Sequence, residues 1–244
     1  MTLPCVVREQ RADEPLPASW MNQTGVPVQP RPAGGDVGLL LADANDLPIA
    51  CLRLRYRLGL DLPRYSYHLG RVVHAAAELN LFSTQPTLML GNDHTGDSEL
   101  ADLACAPGLG FDAQVAALRR LIQAALQRLA PGQRVIVELA GPRDAATGQS
   151  PFWQGLGRYF YEGDPVLAQA QHGDAWRSHL AALLPRQTLY LSFLSAAAQA
   201  AVGQVGEAGL AAAQALKDCG FAFAQHVRVD DGGAVFESCV ARAS

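Results

Sequence analysis

Lysine is almost absent from this chain: Lys217 is the only lysine among 19 basic residues, and the rest are arginine. The formal net charge is −4, so the sequence lacks the basic excess with which nucleic-acid-binding proteins neutralise phosphates. The abundance of arginine and alanine is typical of a GC-rich coding sequence rather than of a phosphate-binding surface. We therefore expect no nucleic-acid partner.

Closely spaced cysteines and long apolar runs are also missing. The five cysteines are widely separated and form no C-x-x-C motif, which favours reduced thiols over a disulfide framework. No run approaches the roughly 18 apolar residues of a membrane span, and charges come too early in the sequence for a secretory leader. These features predict a cytoplasmic protein with no membrane partner.

Motifs for a hydrolytic nucleophile or a metal are lacking as well. The sequence contains no G-x-S-x-G, the motif that positions a catalytic serine in many hydrolases. No second histidine lies at ligand spacing from His94, and His172 and His179 stand seven residues apart in a polar stretch, which does not prescribe a site. We expect no metal site.

What is present is enough sequence for one large or two small domains. Residues 1–35 are rich in proline and lack apolar periodicity, so they are predicted to form an extended, poorly packed arm. Residues 36–163 are predicted to form the main domain, and residues 164–244 a smaller C-terminal α/β half packed on it. The pattern of elements indicates an α/β (α+β) fold with a mixed, mostly antiparallel sheet.

Hydrophobic periodicity supplies the individual elements. It predicts a hairpin over 36–58, strands at 87–91, 98–105 and 134–139, and a long helix over 112–129. Ser150 and Pro151 are typical of an N-cap and first helical position. Beyond them we predict helices near 174–184, 195–202 and 208–218, a strand near 187–194, and a closing hairpin around 231–233. His74 precedes an apparently helical stretch and is predicted to be packed.

A dense polar cluster, GNDHTGDSEL at 91–100, follows the apolar strand TLML. Such a cluster is compatible with a metal site, a catalytic site or a solvated turn. Asp93 and His94 are adjacent, so in a strand they would point to opposite faces. Farther along, PGLGFDAQ at 107–114 places two glycines before the long helix, where free backbone N–H groups can face an anion. A plain strand-to-helix turn explains that pattern as well.

Three segments resemble the arginine N-succinyltransferase family. They are YSYHLGRVVHAAAELNLFSTQPTLMLGNDHTGDSEL at 65–100, SPFWQGLGRYF at 150–160 and LLPRQTLYLSFLSAAAQAAVGQV at 183–205, with CGF and DGG near the end. The resemblance implies a GNAT-like fold and transfer of a succinyl group from succinyl-CoA to the α-amine of L-arginine. It also implies arginine catabolism as the setting, and a homo- or hetero-oligomer with a related subunit.

The resemblance also implies roles for individual residues. The backbone at Leu103, with Gly108 and Gly110, would bind the acyl-CoA donor. Asp97, Ser150 and Trp153 would line the substrate site. Asp93, His94, Glu99 and Glu207 would serve as acid–base or charge-stabilising groups, although His94 could equally lock the turn. We expect at least two of Asp93, His94, Asp97 and Glu99 to reach the main cleft.

The sequence departs from the family pattern at three places. A proline-rich arm stands where the family has a strand and two helices, and PGLGFDAQ lacks the family's phosphate-binding arginine. Gly206 occupies the position of the family's general-acid histidine, and the loss of such a group typically costs about 10²–10⁴ in rate. Glu207 and His226 are the candidates to replace it. The alternative interpretation is a non-catalytic or altered-specificity paralogue that acts as a partner subunit or ligand-binding protein.

Overall fold

The computed structural model of the chain describes residues 5–241, and at Asp174 its backbone only. Ten strands form a sheet in the order β1-β2-β3-β6-β7-β10-β9-β4-β5-β8. The strands are β1 Val6–Glu9, β2 Val37–Ala42, β3 Pro48–Arg55, β4 Ser66–Ala76, β5 Leu81–Gly91, β6 Ser98–Cys105, β7 Arg134–Glu138, β8 Leu189–Tyr190, β9 Ala222–Val227 and β10 Ala234–Cys239. The helices are α1 Phe111–Leu126, α2 Pro151–Gly155, α3 Pro165–His172, α4 Trp176–Leu183, α5 Ala196–Ala201 and α6 Leu210–Asp218.

The sheet is mixed, as predicted. Strands β6 and β7 run parallel, and each other neighbouring pair is antiparallel. The predicted hairpin at 36–58, strand 98–105, its neighbour at 134–139 and the closing hairpin are all confirmed. Strands β9 and β10, which come from the C-terminal half, lie inside the sheet between β7 and β4. The two predicted halves thus share one sheet, and the boundary at residue 163 stays a prediction.

Helix α1 covers the side of the sheet that holds the main core. Its apolar residues recur at helical spacing, which places Leu118, Leu121 and Ile122 on one buried face. They pack with Leu52 of β3 and Leu216 of α6. This packing fixes the start of α1 beside the end of β6, where the connecting loop contains Gly108.

A second core lies under the other end of the sheet. Tyr67 and Leu88 of the β4–β5 hairpin pack there with Phe152 and Trp176. The far half of that hairpin projects beyond the core and is largely exposed. His74 lies on this projecting part of β4 and is exposed. A short 3-10 helix at Ala77–Leu79 does follow, but the prediction that His74 is packed was wrong, because the hairpin extends past the apolar layer that would have covered it.

The prediction of a poorly packed arm was also wrong. Strand β1 pairs with β2, and Leu16, Trp20 and Val28 are buried against the sheet. Their contacts include Leu40 of β2. Proline density predicts an extended chain but not whether that chain packs, since burial here depends on strands far away in sequence. No helix in residues 5–241 is long and apolar enough to cross a membrane.

Replacing Trp20 by alanine tests the packing of the arm. The side chain is only 4% exposed, so Trp20→Ala should lower the free energy of unfolding by about 3 kcal/mol through lost burial and the cavity left behind. Met21→Ala is the control, since that neighbour is 50% exposed and should change stability by less than about 0.5 kcal/mol. Urea unfolding measures both, and equal midpoints would show that the arm contributes no packing.

Candidate functional site

The parallel strands β6 and β7 diverge along their length. Their register joins Ser98 to Val135 and Glu99 to Ile136, and beyond that point β6 stays with β3 while β7 stays with β10. The divergence leaves a notch in the sheet between the second half of β6 and the end of β7. We call the paired side the closed end and the other side the notch.

A β-bulge at Asp102 and Leu103 bends β6 at the notch. Arg53 pairs with Ala101 and Cys51 with Ala104, so these two residues of β6 face one residue of β3. Asp102 has a φ of 50°, a left-handed conformation that is uncommon outside glycine. The bulge removes the Leu103 N–H from the ladder with β3. That N–H instead donates to Gln23 Oε1 at 3.0 Å.

A channel of about 360 Å³ runs from the bulge to the start of α1. Leu103, Cys105, Gly108 and Ala212 are among the residues that line it. Gly108 has a φ of 90°, which a glycine adopts without strain, and Gly110 is the N-cap of α1. Burial raises the pKa of Cys105 to about 12, so the thiol stays protonated and is not a nucleophile.

A second cavity, of about 570 Å³, adjoins the channel and contains Gly206 and Glu207. The Gly206 N–H donates to the Ala140 carbonyl at 2.6 Å, on the continuation of β7. A Cβ atom added at Gly206 would lie 2.3 Å from the Gly141 oxygen. Gly206 therefore lies in a close backbone contact, and a histidine at this position would require movement of the chain. Glu207 is exposed at this cavity.

A third cavity, of about 80 Å³, lies on the other side of the notch and is lined by charged groups. Glu138, at the end of β7, binds Arg177 and lies 3.1 Å from Arg64 Nε. Glu99 also binds Arg64 and lies 3.5 Å from Arg55. Two carboxylates and three guanidinium groups thus meet beside the bulge.

The ionisation of Glu138 is fixed by these partners. Burial alone would raise its pKa, but the charges of Arg177, Arg64 and Arg228 outweigh burial and hold the pKa well below its usual range. Arg228 is itself bound by Asp230 and, at 3.0 Å, by Asp231. The cavity therefore holds a carboxylate that is ionised and already paired.

Most of the GNDHTGDSEL cluster lies at the closed end. His94 is buried, and its Nδ1 is 3.1 Å from Asp97 Oδ2. Asp97 also binds Arg134 at the start of β7, at 2.8 Å. Burial would raise the pKa of Asp97, but the hydrogen bonds with His94 and Arg134 outweigh it and lower the pKa. Asp93 is 50% exposed and pairs with His226 at 2.9 Å. The cluster therefore ties β6 to β7.

This placement separates the cluster from the notch. Leu103 follows Ser98 by five positions along β6, or about 16 Å at strand spacing. Glu99 lines one of the cavities described above, whereas Asp93, His94 and Asp97 line none of these three. The expectation that at least two of the four reach the cleft is not met by these cavities. His94 instead has the contacts of a turn-locking residue.

Ser150 and Trp153 lie at the predicted helix start. Ser150 Oγ caps α2 by accepting from the Trp153 N–H at 3.2 Å, and both side chains are buried. They border a separate cavity of about 350 Å³ that includes Arg143. Their substrate role stays a prediction, and their visible role is to start α2. Among residues 5–241, no group of three or more His, Cys, Asp or Glu side chains is arranged to hold a metal ion.

Sequence reasoning missed four residues of the notch: Gln23, Arg64, Glu138 and Arg177. Glu138 carried a signal, since it ends the apolar strand RVIVE, where a charge is costly unless it is paired. The other three come from distant segments with no local pattern. They are recognised only once the fold brings them together.

Comparison with known proteins shows which family and which relatives this chain resembles. A family profile described as "Arginine N-succinyltransferase beta subunit" matches residues 32–244. The arginine N-succinyltransferase of Enterobacter sp. (strain 638) is 34% identical over 225 residues, which are 90% of this chain and 64% of that protein. The Salmonella arizonae protein of the same name is 36% identical over 190 residues, 76% of this chain and 54% of that one.

A solved structure is similar as well. The arginine/ornithine succinyltransferase subunit AI from Pseudomonas aeruginosa matches with a TM-score of 0.66 and 26% identity, over 84% of this chain and 60% of that chain. The chain thus spans less than two thirds of the length of each of these relatives.

Replacing Glu138 by glutamine tests the charged cavity. The change leaves Arg177, Arg64 and Arg228 without their shared carboxylate, so Glu138→Gln should lower the free energy of unfolding by about 3 kcal/mol at pH 7. Because the folded-state pKa is lowered, the stabilisation is complete above about pH 4.3, the usual glutamate value, and is lost as the pH falls further. The difference between wild type and variant should therefore shrink in acid.

The control is Glu78→Gln, at an exposed position of the β4–β5 hairpin. It should change stability by less than about 0.5 kcal/mol. Urea unfolding at several pH values measures both variants. A Glu138→Gln protein as stable as the control would show that the arginines do not depend on Glu138.

Proposed function

The chain belongs to the arginine N-succinyltransferase family, and we propose that it transfers a succinyl group from succinyl-CoA to the α-amine of L-arginine. The observation that carries the proposal is the bulge at Asp102 and Leu103. It directs one backbone N–H into a notch that joins a channel on one side and a charged cavity on the other. An acyl transferase needs such a donor where charge develops on the thioester oxygen.

The donor would lie in the channel. The Leu103 N–H would bind the thioester carbonyl, and the pantetheine arm would follow the wall that includes Cys105 and Ala212. The pyrophosphate would reach Gly108 and the N-terminus of α1, whose first N–H groups have no partner within the helix. Within residues 5–241 no arginine lines this channel, so the binding of phosphate would rest on backbone amides and the helix dipole.

The acceptor would lie on the side of Glu99 and Glu138. Arginine carries a carboxylate, an amine and a guanidinium, so it needs both anionic and cationic partners. The charged cavity offers both kinds in Glu99 and Arg64, beside the bulge. The amine nitrogen would attack the thioester carbon, a C–N bond would form, the C–S bond would break, and the proton released by the amine would end on the departing sulfur.

The residue that would transfer that proton is not the expected histidine. Gly206 has no side chain, and the Gly141 carbonyl leaves no room for one. Glu207, exposed at the adjoining cavity, is the nearer candidate, whereas His226 pairs with Asp93 in the closed-end cluster. Proximity of the two reactants would then supply much of the rate acceleration. An ordinary enzyme turns over at about 10 s⁻¹, and we expect a lower turnover number here.

We also propose that the chain assembles with a related subunit. The P. aeruginosa relative is described as a subunit. In this chain the projecting β4–β5 hairpin exposes large apolar side chains at its tip, namely Val73, Leu79, Leu81 and Phe82. Exposed apolar patches of this kind are typical of interaction sites. Sedimentation of the purified chain is compared with sedimentation of its Phe82→Asp variant, and this comparison tests the assembly.

The activity is tested by incubating the protein with succinyl-CoA and L-arginine. Free thiol release and the mass of succinylated arginine measure transfer, with reactions lacking either substrate as controls. Product with the succinyl group on the α-nitrogen supports the proposal. If succinyl-CoA and arginine bind in calorimetry but no product forms, the ligand-binding alternative replaces it.

Gly110→Asp separates donor binding from stability. A side chain at Gly110 meets nothing within 4 Å, and Asp is a better N-cap than glycine, so the melting temperature should not fall. Its carboxylate would stand where the pyrophosphate is proposed to bind, which should weaken CoA binding about tenfold by charge repulsion. Gly110→Asn is the matched control, with the same shape and capping ability but no charge. Calorimetry with CoA measures both, and equal dissociation constants would remove α1 from the donor site.

A further inference from the structure

Gln23 spans the notch from one strand to the other. Its side-chain Oε1 accepts from the Leu103 N–H on β6 at 3.0 Å. Its backbone oxygen accepts from the Ala140 N–H, just beyond the end of β7, at 3.0 Å. The residue is only 3% exposed. A carbonyl-type oxygen of the protein itself thus fills the place at which a thioester oxygen would be bound.

Gln23 sits at the tip of a small hairpin. The Val28 N–H donates to the Trp20 carbonyl and the Asn22 N–H to the Val26 carbonyl, each at 2.9 Å. Trp20 and Val28 are buried at the base. The tip is fastened by polar contacts, including Asn22 Nδ2 to Asp102 Oδ1 at 2.9 Å. Because buried side chains anchor the base of the hairpin and hydrogen bonds hold its tip, the tip can detach without unfolding of the core.

The tip is also the wall between the three cavities. Met21 lines the channel, Asn22 and Gln23 line the charged cavity, and Thr24 and Gly25 line the cavity of Gly206. The charged cavity measures about 80 Å³, well below the roughly 300–1,000 Å³ of ordinary small-molecule sites. Withdrawal of the tip would join it to its neighbours and give an amino acid room.

We propose that residues 22–26 are a strap that closes the acyl-transfer notch, with Gln23 bound to the Leu103 amide in place of the thioester carbonyl. The inference rests on the proposed function, because it assigns the notch to an acyl-CoA. The strap must leave before donor and acceptor meet, so the closed form lowers the apparent affinity for acyl-CoA by the fraction of molecules that are open. The strap lies outside residues 32–244, which the family profile matches.

A disulfide staple tests the strap. A Cβ built at Gly25 lies 3.7 Å from the Ala208 Cβ, a spacing that suits a disulfide. The double variant Gly25→Cys/Ala208→Cys should hold the strap shut when oxidised and free it when reduced. Binding of succinyl-CoA, measured by calorimetry, should be at least about tenfold weaker in the oxidised form. Mass spectrometry verifies the bridge.

Two single variants control for the staple. Gly25 has a φ of 75°, so a cysteine there is strained, and Ala208 lines the channel. Gly25→Cys and Ala208→Cys alone should bind succinyl-CoA equally under oxidising and reducing conditions. A difference seen only in the double variant then belongs to the bridge.

Gln23→Ala provides the opposite change. It removes the competing oxygen, so succinyl-CoA should bind about fivefold more tightly, the effect of one neutral hydrogen bond. The Leu103 amide should also exchange faster with deuterium in the free protein. Gln123→Ala, at an exposed position of α1, is the matched control and should alter neither quantity.

The outcomes separate the two proposals. Tighter binding by Gln23→Ala together with weaker binding by the oxidised staple supports the strap. Equal binding by oxidised and reduced forms overturns the strap and leaves the proposed function standing. No binding of succinyl-CoA by Gln23→Ala or by the reduced double variant overturns both.

Discussion

The bend in β6 at Asp102 is the feature on which the notch depends. A left-handed backbone at a non-glycine residue costs free energy, and it persists here because the side chain is fixed. Asp102 lies 3.2 Å from Arg53 of the neighbouring strand. Arg53 is buried and does not belong to the strap, so this ion pair would stay in place if the strap withdrew. The bulge that this pair supports lies beside the divergence from β7 and the charged cavity.

A strand pair that opens at one end must be held at the other. Asp97 and Arg134 join the starts of β6 and β7, and His94 orders the turn before β6. The polar cluster at 91–100 thus lies about 16 Å from the notch. Its contacts hold β6 and β7 together. Side chains that hold two strands together can be buried and have their charges paired, whereas a group that transfers a proton must reach the substrate. This is why density of polar residues did not point to the notch.

The sequence predicted what local periodicity encodes. The stripe of Leu118, Leu121 and Ile122 predicted α1, and alternation predicted β3. It did not predict that Trp20 packs on the sheet or that His74 is exposed, because both depend on which distant strands lie alongside. Gln23 and Arg177 belong to the site for the same reason. The family resemblance supplied Leu103, whose backbone position no sequence pattern reveals, whereas the two glycines before α1 were visible in the sequence.

The departures from the family pattern all meet at one place. Gly206 packs against the Gly141 carbonyl, and Gln23 of the arm fills the gap between β6 and β7. Among the residues that the structure describes, no arginine lines the channel. The closed end keeps the NDHTG turn. The departures therefore lie around the notch and its cavities, while the turn at the closed end is retained.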